Sequence, residues 1–193
     1  MARHKEFERE EVLEKAIKVF WSNGYNATSF QTLTEGMCIN RQSIYDTYGD
    51  KHTLFIEALT YYYQKRTDLL TAHFAQDKPV KELVRSFFEQ SIVNTTAEQK
   101  NQGCLLLNVT HEMVPHDKEV VAIVNKNMKD LTRIFESALA RGIHSGEIKS
   151  SQTPSALALY LVNSLQGLIT LSKTVTDKKK LREIAELNIS TLG

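Results

Sequence analysis

Few residues in this sequence interrupt a helix. Only three prolines and eight glycines occur in 193 residues, whereas leucine, lysine, glutamate and alanine, which favour helices, are abundant. No segment shows the alternation of apolar and polar residues that is typical of a half-buried strand. The composition and the periodicity therefore predict an all-α fold.

Disulfide bonds and a membrane span are also not expected. Cys38 and Cys104 are the only cysteines, too few for a disulfide framework and typical of a reducing cytosol. The N-terminus, Met-Ala-Arg-His-Lys-Glu, is charged and lacks the apolar core of a signal peptide. The most apolar run, residues 156–162, is too short to cross a bilayer. We therefore expect a soluble cytoplasmic protein.

Motifs that support catalysis or metal binding are missing as well. The sequence contains no Gly-rich phosphate loop, no nucleophile elbow and no carboxylate pair in a plausible cleft. The string HEMVPH, residues 111–116, superficially resembles a zinc motif. Its histidines are five residues apart rather than four, however, and Pro115 would break the helix between them. We predict no enzyme, no metal site and no cofactor.

Nine helices are predicted from apolar residues spaced three and four apart and from capping residues. Thr28 and Gln31 form a capping box, Asn40 is a good N-cap, and Thr153-Pro154 begins a helix well. The predicted helices cover residues 10–23, 28–37, 40–48, 54–74, 80–92, 101–114 (stopped by Pro115), 116–144, 153–175 and 178–192.

Charge does not by itself indicate a nucleic-acid partner. The formal net charge is +1, and residues 1–52 carry no excess of basic over acidic side chains. Long-range steering towards a polyanion is therefore weak. A prediction of DNA binding has to rest on local geometry.

The segment INRQSIYDTYGDK, residues 39–51, predicts a short polar helix after a tight turn. Two short helices joined in this way form the helix-turn-helix pattern. If Ile44 faces the core, residues two positions away lie about 200° around the helix, so Gln42 and Asp46 point outward. An amide can pair with adenine in the major groove, and a carboxylate can accept from the cytosine amino group. A helix that only packs in a bundle would carry more apolar residues.

Further DNA contacts are predicted beside these two residues. Backbone N–H groups at the start of the second helix, at Thr28 and Ser29, can bind a phosphate, and hydroxyl and cationic side chains suit other phosphate oxygens. The complete set of predicted contacts is Thr28, Ser29, Arg41, Gln42, Ser43, Tyr45, Asp46, Thr47, Tyr48 and Lys51.

The stretch GYNATSFQTLTEGMCINRQSIYDTYGDKHTLF, residues 24–55, resembles the DNA-binding segment of the tetracycline-repressor (TetR) family of bacterial transcriptional regulators. The resemblance is close over residues 10–59, and the remainder resembles the family only in its layout of helices. It implies a helix-turn-helix domain over residues 1–66, with a recognition helix at about 40–48, and an effector-binding and dimerisation domain over 67–193. Cys38 stands where the family usually has glycine, and a positive φ there would cost on the order of 1 kcal/mol.

The resemblance also implies a function. Family members are homodimers, by default repressors, that bind a palindromic double-stranded DNA operator and release it when a small molecule enters the C-terminal domain. The sequence does not identify that effector. Candidate pocket residues are Tyr62, Phe88, Cys104, Asn108, His111 and Met113, and candidate dimer contacts are Leu157, Leu161, Leu165, Leu168, Leu181 and Ile184. For both sets, the alternative is that the residues form the core of the single chain.

Two alternatives stay open. Cys104 would begin the sixth helix, and a thiol at a helix N-terminus is a candidate sensor of oxidants or electrophiles. It would otherwise be a small buried apolar residue. The second alternative is a helical module that binds only other proteins.

Overall fold

The computed structural model describes residues 2–96, 102–114, 116–175 and 177–193, with side chains from residue 9 onward except at 95 and 96. Over these residues the chain forms nine α-helices and no strand, which confirms the all-α prediction. Pro115, the predicted stop of the sixth helix, lies outside the described residues. The helices are α1 (Ala2–Asn23), α2 (Phe30–Met37), α3 (Arg41–Tyr48), α4 (Lys51–Phe74), α5 (Val80–Thr96), α6 (Leu105–Met113), α7 (Lys118–His144), α8 (Pro154–Leu171) and α9 (Lys178–Ser190).

The chain divides into two compact units. The first contains Met1–Arg66 and Leu105–Asn125, and the second contains Thr67–Cys104 and Lys126–Gly193. The first unit therefore includes a segment of the region that we predicted to be the C-terminal domain. The functional assignment of the two predicted domains stays a prediction.

In the first unit, α1 packs against α2, and α2 packs against α3. The buried ring of Phe20 in α1 meets Phe55 of α4 edge to face, with their centroids 4.9 Å apart. At Gly24, φ is +80°, and its N–H donates to the Phe20 carbonyl. This left-handed residue ends α1 at the predicted place, because glycine adopts a positive φ without steric strain.

The cap of α3 follows the sequence, but that of α2 does not. The side chain of Asn40 accepts from the Ser43 N–H at 2.8 Å, as predicted. The N-cap of α2 is Ser29, whose hydroxyl accepts from the Thr32 N–H at 3.1 Å. The predicted capping box that begins at Thr28 is wrong, because Thr28 is buried and its hydroxyl donates to the Gly24 carbonyl at 2.5 Å.

In the second unit, α5 packs against α8 and α9, and α8 packs against α9. The Glu147 carboxylate accepts from the backbone N–H groups of Val80 and Lys81, both at 2.8 Å. It thereby satisfies two of the donors that the start of α5 leaves without an intrahelical partner. An ion pair between Arg85 of α5 and Glu186 of α9 joins the exposed edges of these two helices at 2.9 Å.

The predicted dimer residues lie mostly in the core of the single chain. Five of the six side chains are only 0–4% exposed, and the sixth, Ile184, is half-buried. The assignment of these five residues to an intermolecular surface is therefore wrong, because the chain itself already covers this face of α8 and α9, whereas the assignment of Ile184 stays a prediction. The five buried residues are Leu157, Leu161, Leu165, Leu168 and Leu181.

Among the described residues, α8 is the one helix whose length and composition would allow it to cross a membrane. It has 18 residues and a mean hydropathy of 1.2, and 39% of it is buried inside the chain. Core helices of water-soluble proteins meet the same criterion. The helix ends at Leu171, four residues before the predicted end.

Candidate nucleic-acid interface

α3 presents a polar surface on the side opposite its core contact. Ile44 is 1% exposed and anchors the helix, whereas Gln42 and Asp46 are exposed. This arrangement agrees with the outward direction deduced from helical geometry. The Gln42 Nε2 donates to Asp46 Oδ1 at 2.7 Å. The two side chains that we expect to read bases are therefore joined to each other.

A second group of side chains lies around Phe30, the first residue of α2. The ring of Tyr45 stacks on Phe30, with centroids 4.6 Å apart and an angle of 19° between the planes. The guanidinium carbon of Arg41 lies 5.2 Å from the Phe30 centroid and 5.4 Å from that of Tyr45. An Arg41 N–H also donates to the Tyr45 hydroxyl at 3.1 Å. Together, Phe30, Arg41 and Tyr45 form an aromatic–arginine cluster that restrains a cation beside the exposed face of α3.

The other flank of α3 is less specialised. Thr47 is exposed, and Ser43 is half-buried. The backbone N–H of Ser43 is already used by the Asn40 cap. Their predicted contacts with DNA stay predictions.

Two of the predicted contact side chains belong to the core. Tyr48 is only 6% exposed, and burial raises the pKa of its hydroxyl, while the nearby Arg9 opposes that rise. Thr28 is 1% exposed, and its backbone N–H donates to the Tyr25 carbonyl at 3.3 Å. The predicted phosphate contacts of Tyr48 and Thr28 are wrong for this structure, because their polar atoms are used inside the protein.

Lys51 has an internal role that the sequence did not reveal. Its Nζ donates to the carbonyls of Tyr25 at 3.0 Å and Thr28 at 2.9 Å, and it lies 4.3 Å from the Tyr25 ring centroid. An ammonium group has three N–H donors, so one is left for a phosphate. The predicted phosphate contacts of Lys51 and of Ser29, which is exposed at the start of α2, stay predictions.

Acidic side chains of α6 and the α6–α7 turn contact the turn that precedes α2 and the start of α4. The Glu112 carboxylate accepts from the backbone N–H groups of Tyr25 at 3.0 Å and Asn26 at 2.7 Å. Asp117 lies 2.7 Å from the His52 Nε2. The pKa of the Asp117 carboxyl is lowered mainly by the Val120 N–H, with His52 adding to the effect. The sequence shows that the Gly-Tyr-Asn turn has N–H groups to satisfy, but not which acid satisfies them.

The candidate effector residues differ widely in burial. In the first unit, Tyr62 and Met113 are buried, Asn108 is half-buried and His111 is exposed. In the second unit, Phe88 is fully buried. Their assignment to an effector site stays a prediction.

Cys104 is half-buried and lies immediately before α6, which begins at Leu105. Its assignment as a sensor of oxidants or electrophiles stays a prediction. Among the described side chains, no group of three or more His, Cys, Asp or Glu residues is placed to hold a metal ion.

Comparisons with known proteins cover both halves of the chain. Residues 12–58 match a family model described as bacterial regulatory proteins, tetR family, and residues 81–187 match one described as tetracyclin repressor-like, C-terminal domain. The chain is 33% identical, over 193 residues and the full length of both proteins, to YezE of Bacillus subtilis (strain 168), an uncharacterized HTH-type transcriptional regulator. It is 26% identical to the HTH-type transcriptional repressor ComR of Escherichia coli (strain K12), covering 95% of this chain and 88% of ComR.

A solved structure shows the same fold. A cysteine mutant of the TetR family transcriptional regulator CifR, complexed with 26bp double-strand operator DNA, superposes with a TM-score of 0.84 at 25% identity. The match covers 96% of this chain and 97% of the CifR chain.

Proposed function

The chain belongs to the TetR family of bacterial transcriptional regulators, and from this premise we propose that it is a cytoplasmic, homodimeric repressor of transcription. It binds a palindromic DNA operator through α3 and releases the operator when a small molecule binds. The observation that carries the proposal is the exposed polar surface of α3, with Arg41, Gln42 and Asp46 outward and Ile44 buried behind them. Repression is supported by the name of ComR, and operator binding by the CifR complex.

The aromatic–arginine cluster is suited to a phosphate contact. The rings of Phe30 and Tyr45 restrict the guanidinium of Arg41, so less side-chain freedom is lost when it binds an anion. An arginine beside a recognition helix fixes the helix on the duplex without reading sequence. A phosphate contact of this kind would supply attraction to DNA that the net charge of +1 does not provide.

A second copy of the chain is proposed to cover the outward surfaces of α8 and α9. Four large apolar side chains are exposed there although the opposite faces of both helices are buried: Leu159 (59%), Tyr160 (43%), Leu171 (37%) and Leu187 (67%). Gly167, on the same outward face of α8, has open space where a Cβ would lie, which allows close approach of another helix. A two-fold dimer would present two α3 helices to half-sites about 34–36 Å apart.

Binding of purified protein to a random duplex library at two salt concentrations tests the DNA-binding proposal. We expect a palindrome to be enriched, with affinity that falls steeply as salt rises. Arg41→Ala should weaken binding to every sequence about equally and reduce the slope of log K against log salt by about one. Lys149→Ala, which removes an exposed cation from the second unit, is the matched control. Retention of wild-type affinity and slope by Arg41→Ala would contradict the assigned contact.

The dimer proposal is tested by sedimentation equilibrium of Tyr160→Glu. A carboxylate at this position would have to be buried without a partner in the interface, so the variant should be monomeric at concentrations where the wild type is dimeric. Asn163→Asp changes charge near the same surface and serves as a milder comparison. A dimer of wild-type affinity in Tyr160→Glu would exclude this surface.

A further inference from the structure

The hydrogen bond between Gln42 and Asp46 determines how the glutamine amide is oriented. The two residues are one helical turn apart on α3, and Nε2 donates to Oδ1 at 2.7 Å. An ionised carboxylate can only accept hydrogen bonds, so the nitrogen of the amide, not its oxygen, must face Asp46. A glutamine without such a neighbour could exchange the positions of its nitrogen and oxygen freely. The carboxylate therefore selects one of two amide orientations.

We propose that Asp46 is a positioning residue that sets Gln42 to read adenine and to reject guanine in each operator half-site. The inference rests on the proposed function and specifies the base that this site recognises. One N–H of Gln42 is directed to Asp46, which leaves one N–H donor and the carbonyl acceptor for a base edge. Adenine presents an N7 acceptor beside an N6 amino donor in the major groove, which is the complementary pair.

Guanine is disfavoured by the same arrangement. Its major-groove edge presents two acceptors, N7 and O6, so the carbonyl oxygen of Gln42 would face another oxygen or nitrogen lone pair. Rotation of the amide to present its nitrogen to guanine would turn its oxygen towards the Asp46 carboxylate. Two acceptors would then face each other at hydrogen-bonding distance, without a proton between them. Asp46 thus discriminates between bases through Gln42, and its carboxylate accepts from the Gln42 amide in place of the cytosine amino group that the sequence alone suggested.

The carboxylate of Asp46 has a second, measurable consequence. It is an exposed negative charge on the helix that approaches the phosphate backbone, so it weakens binding to every duplex. Removal of Asp46 should therefore strengthen overall binding and at the same time weaken discrimination between adenine and guanine. A residue with a purely structural role in α3 would not produce these opposite changes.

α2 offers a matched control for the loss of charge. There the Nε2 of Gln31 donates to the Oε1 of Glu35 at 2.9 Å, again one turn apart and exposed. Glu35→Ala removes a carboxylate from the same kind of pair in the same unit, but not from the recognition helix. It should change overall affinity without changing the preference at any base pair.

The test begins with the operator selected by the wild-type protein. Dissociation constants are measured for duplexes in which each adenine of a half-site is replaced by guanine, with the symmetric change in the other half-site. We expect one position where the wild type prefers adenine by about 5- to 150-fold, the discrimination of a good bidentate contact. Gln42→Ala should abolish this preference. Asp46→Ala should reduce it about twofold or more, and Asp46→Asn should lie between Asp46→Ala and the wild type.

Circular dichroism and thermal melting of each variant confirm that α3 and its unit remain folded. An unchanged adenine preference in Asp46→Ala, at the position that Gln42→Ala abolishes, would overturn the inference. So would the loss of a cytosine preference at a neighbouring position in Asp46→Ala, because Asp46 would then read a base directly. If the wild type enriches no duplex at all, the proposed function fails, and the inference falls with it.

Discussion

Replacement of Cys38 by glycine should stabilise the first unit. Cys38 ends α2 with φ 57° and ψ 39°, and among the described residues it is the one non-glycine with a positive φ. The left-handed conformation brings the Cβ of an L-residue too close to backbone atoms. The turn into α3 requires this conformation regardless of the residue, so the strain is present in the folded state.

The expected gain follows from two opposing effects. Relief of the left-handed strain contributes about 1–2 kcal/mol, and the greater backbone entropy of unfolded glycine removes about 0.5–1 kcal/mol of it. The thiol is exposed, and it donates to the Glu35 carbonyl at 3.6 Å. A thiol is a weak donor, so the loss of this hydrogen bond subtracts little. The net stabilisation lies between about 0 and 1.5 kcal/mol, and its midpoint of about 0.75 kcal/mol would raise Tm of a chain of this length by roughly 1.5–3 °C.

Thermal and urea unfolding at fixed protein concentration and constant reducing agent measure the effect. A fixed concentration is needed because the proposed dimerisation would make the apparent stability depend on it. Cys38→Ala is the matched control, since it removes the thiol but keeps the Cβ and the strain, and should change stability by less than about 0.5 kcal/mol. The reasoning would be refuted by a lower stability of Cys38→Gly, or by an equal gain in Cys38→Ala.

Three further substitutions probe the carboxylates that hold backbone groups. Glu112→Gln replaces one of the oxygens that accept backbone N–H groups in the turn before α2 and should cost about 1–3 kcal/mol in urea unfolding and weaken operator binding. Because the pKa of Asp117 is lowered in the folded state, its contribution to stability is present above about pH 4, the unfolded value, and is lost as pH falls through the lower folded value. In the Asp117→Asn variant, the free energy of unfolding should therefore fall less steeply than in the wild type as the pH is lowered below about 4. Glu147→Ala leaves two N–H groups of α5 without this carboxylate and should lower the unfolding free energy by about 0.5–2 kcal/mol.

Local features were predictable because their causes are local. Asn40 is followed three residues later by an N–H that needs an acceptor, and Gly24 is a residue that can adopt a positive φ. The positive φ of Cys38 also has a local cause, because the short connection between α2 and α3 requires a left-handed residue there. Thr28 shows where this logic stops. Thr28 and Ser29 are both acceptable N-caps, and it is the burial of Thr28 that leaves the role to Ser29.

The parts of the interface that were not predicted depend on contacts distant in sequence. Lys51 and Tyr48 carry side chains that suit a phosphate contact. In the structure, however, Lys51 donates to backbone carbonyls 23 and 26 residues away, and Tyr48 is buried in the core. Phe30 could not be predicted as part of the interface, because a partly exposed aromatic residue at a helix start has no periodic signal. Its importance appears only when Arg41 and Tyr45 of another helix are found against it.

The apolar character of α8 illustrates the same limit and supports the dimer. Periodicity identified a buried stripe that includes Leu161 and Leu165, but it could not tell whether the same chain or a second chain buries it. The structure assigns this stripe to the chain's own core, and a second outward surface that includes Leu159 and Tyr160 is left exposed. A helix that is apolar on two sides is expected to have two partners. Its hydropathy is high enough for a membrane span by composition alone. Packing on its own chain accounts for one apolar face, and the proposed dimer would account for the other.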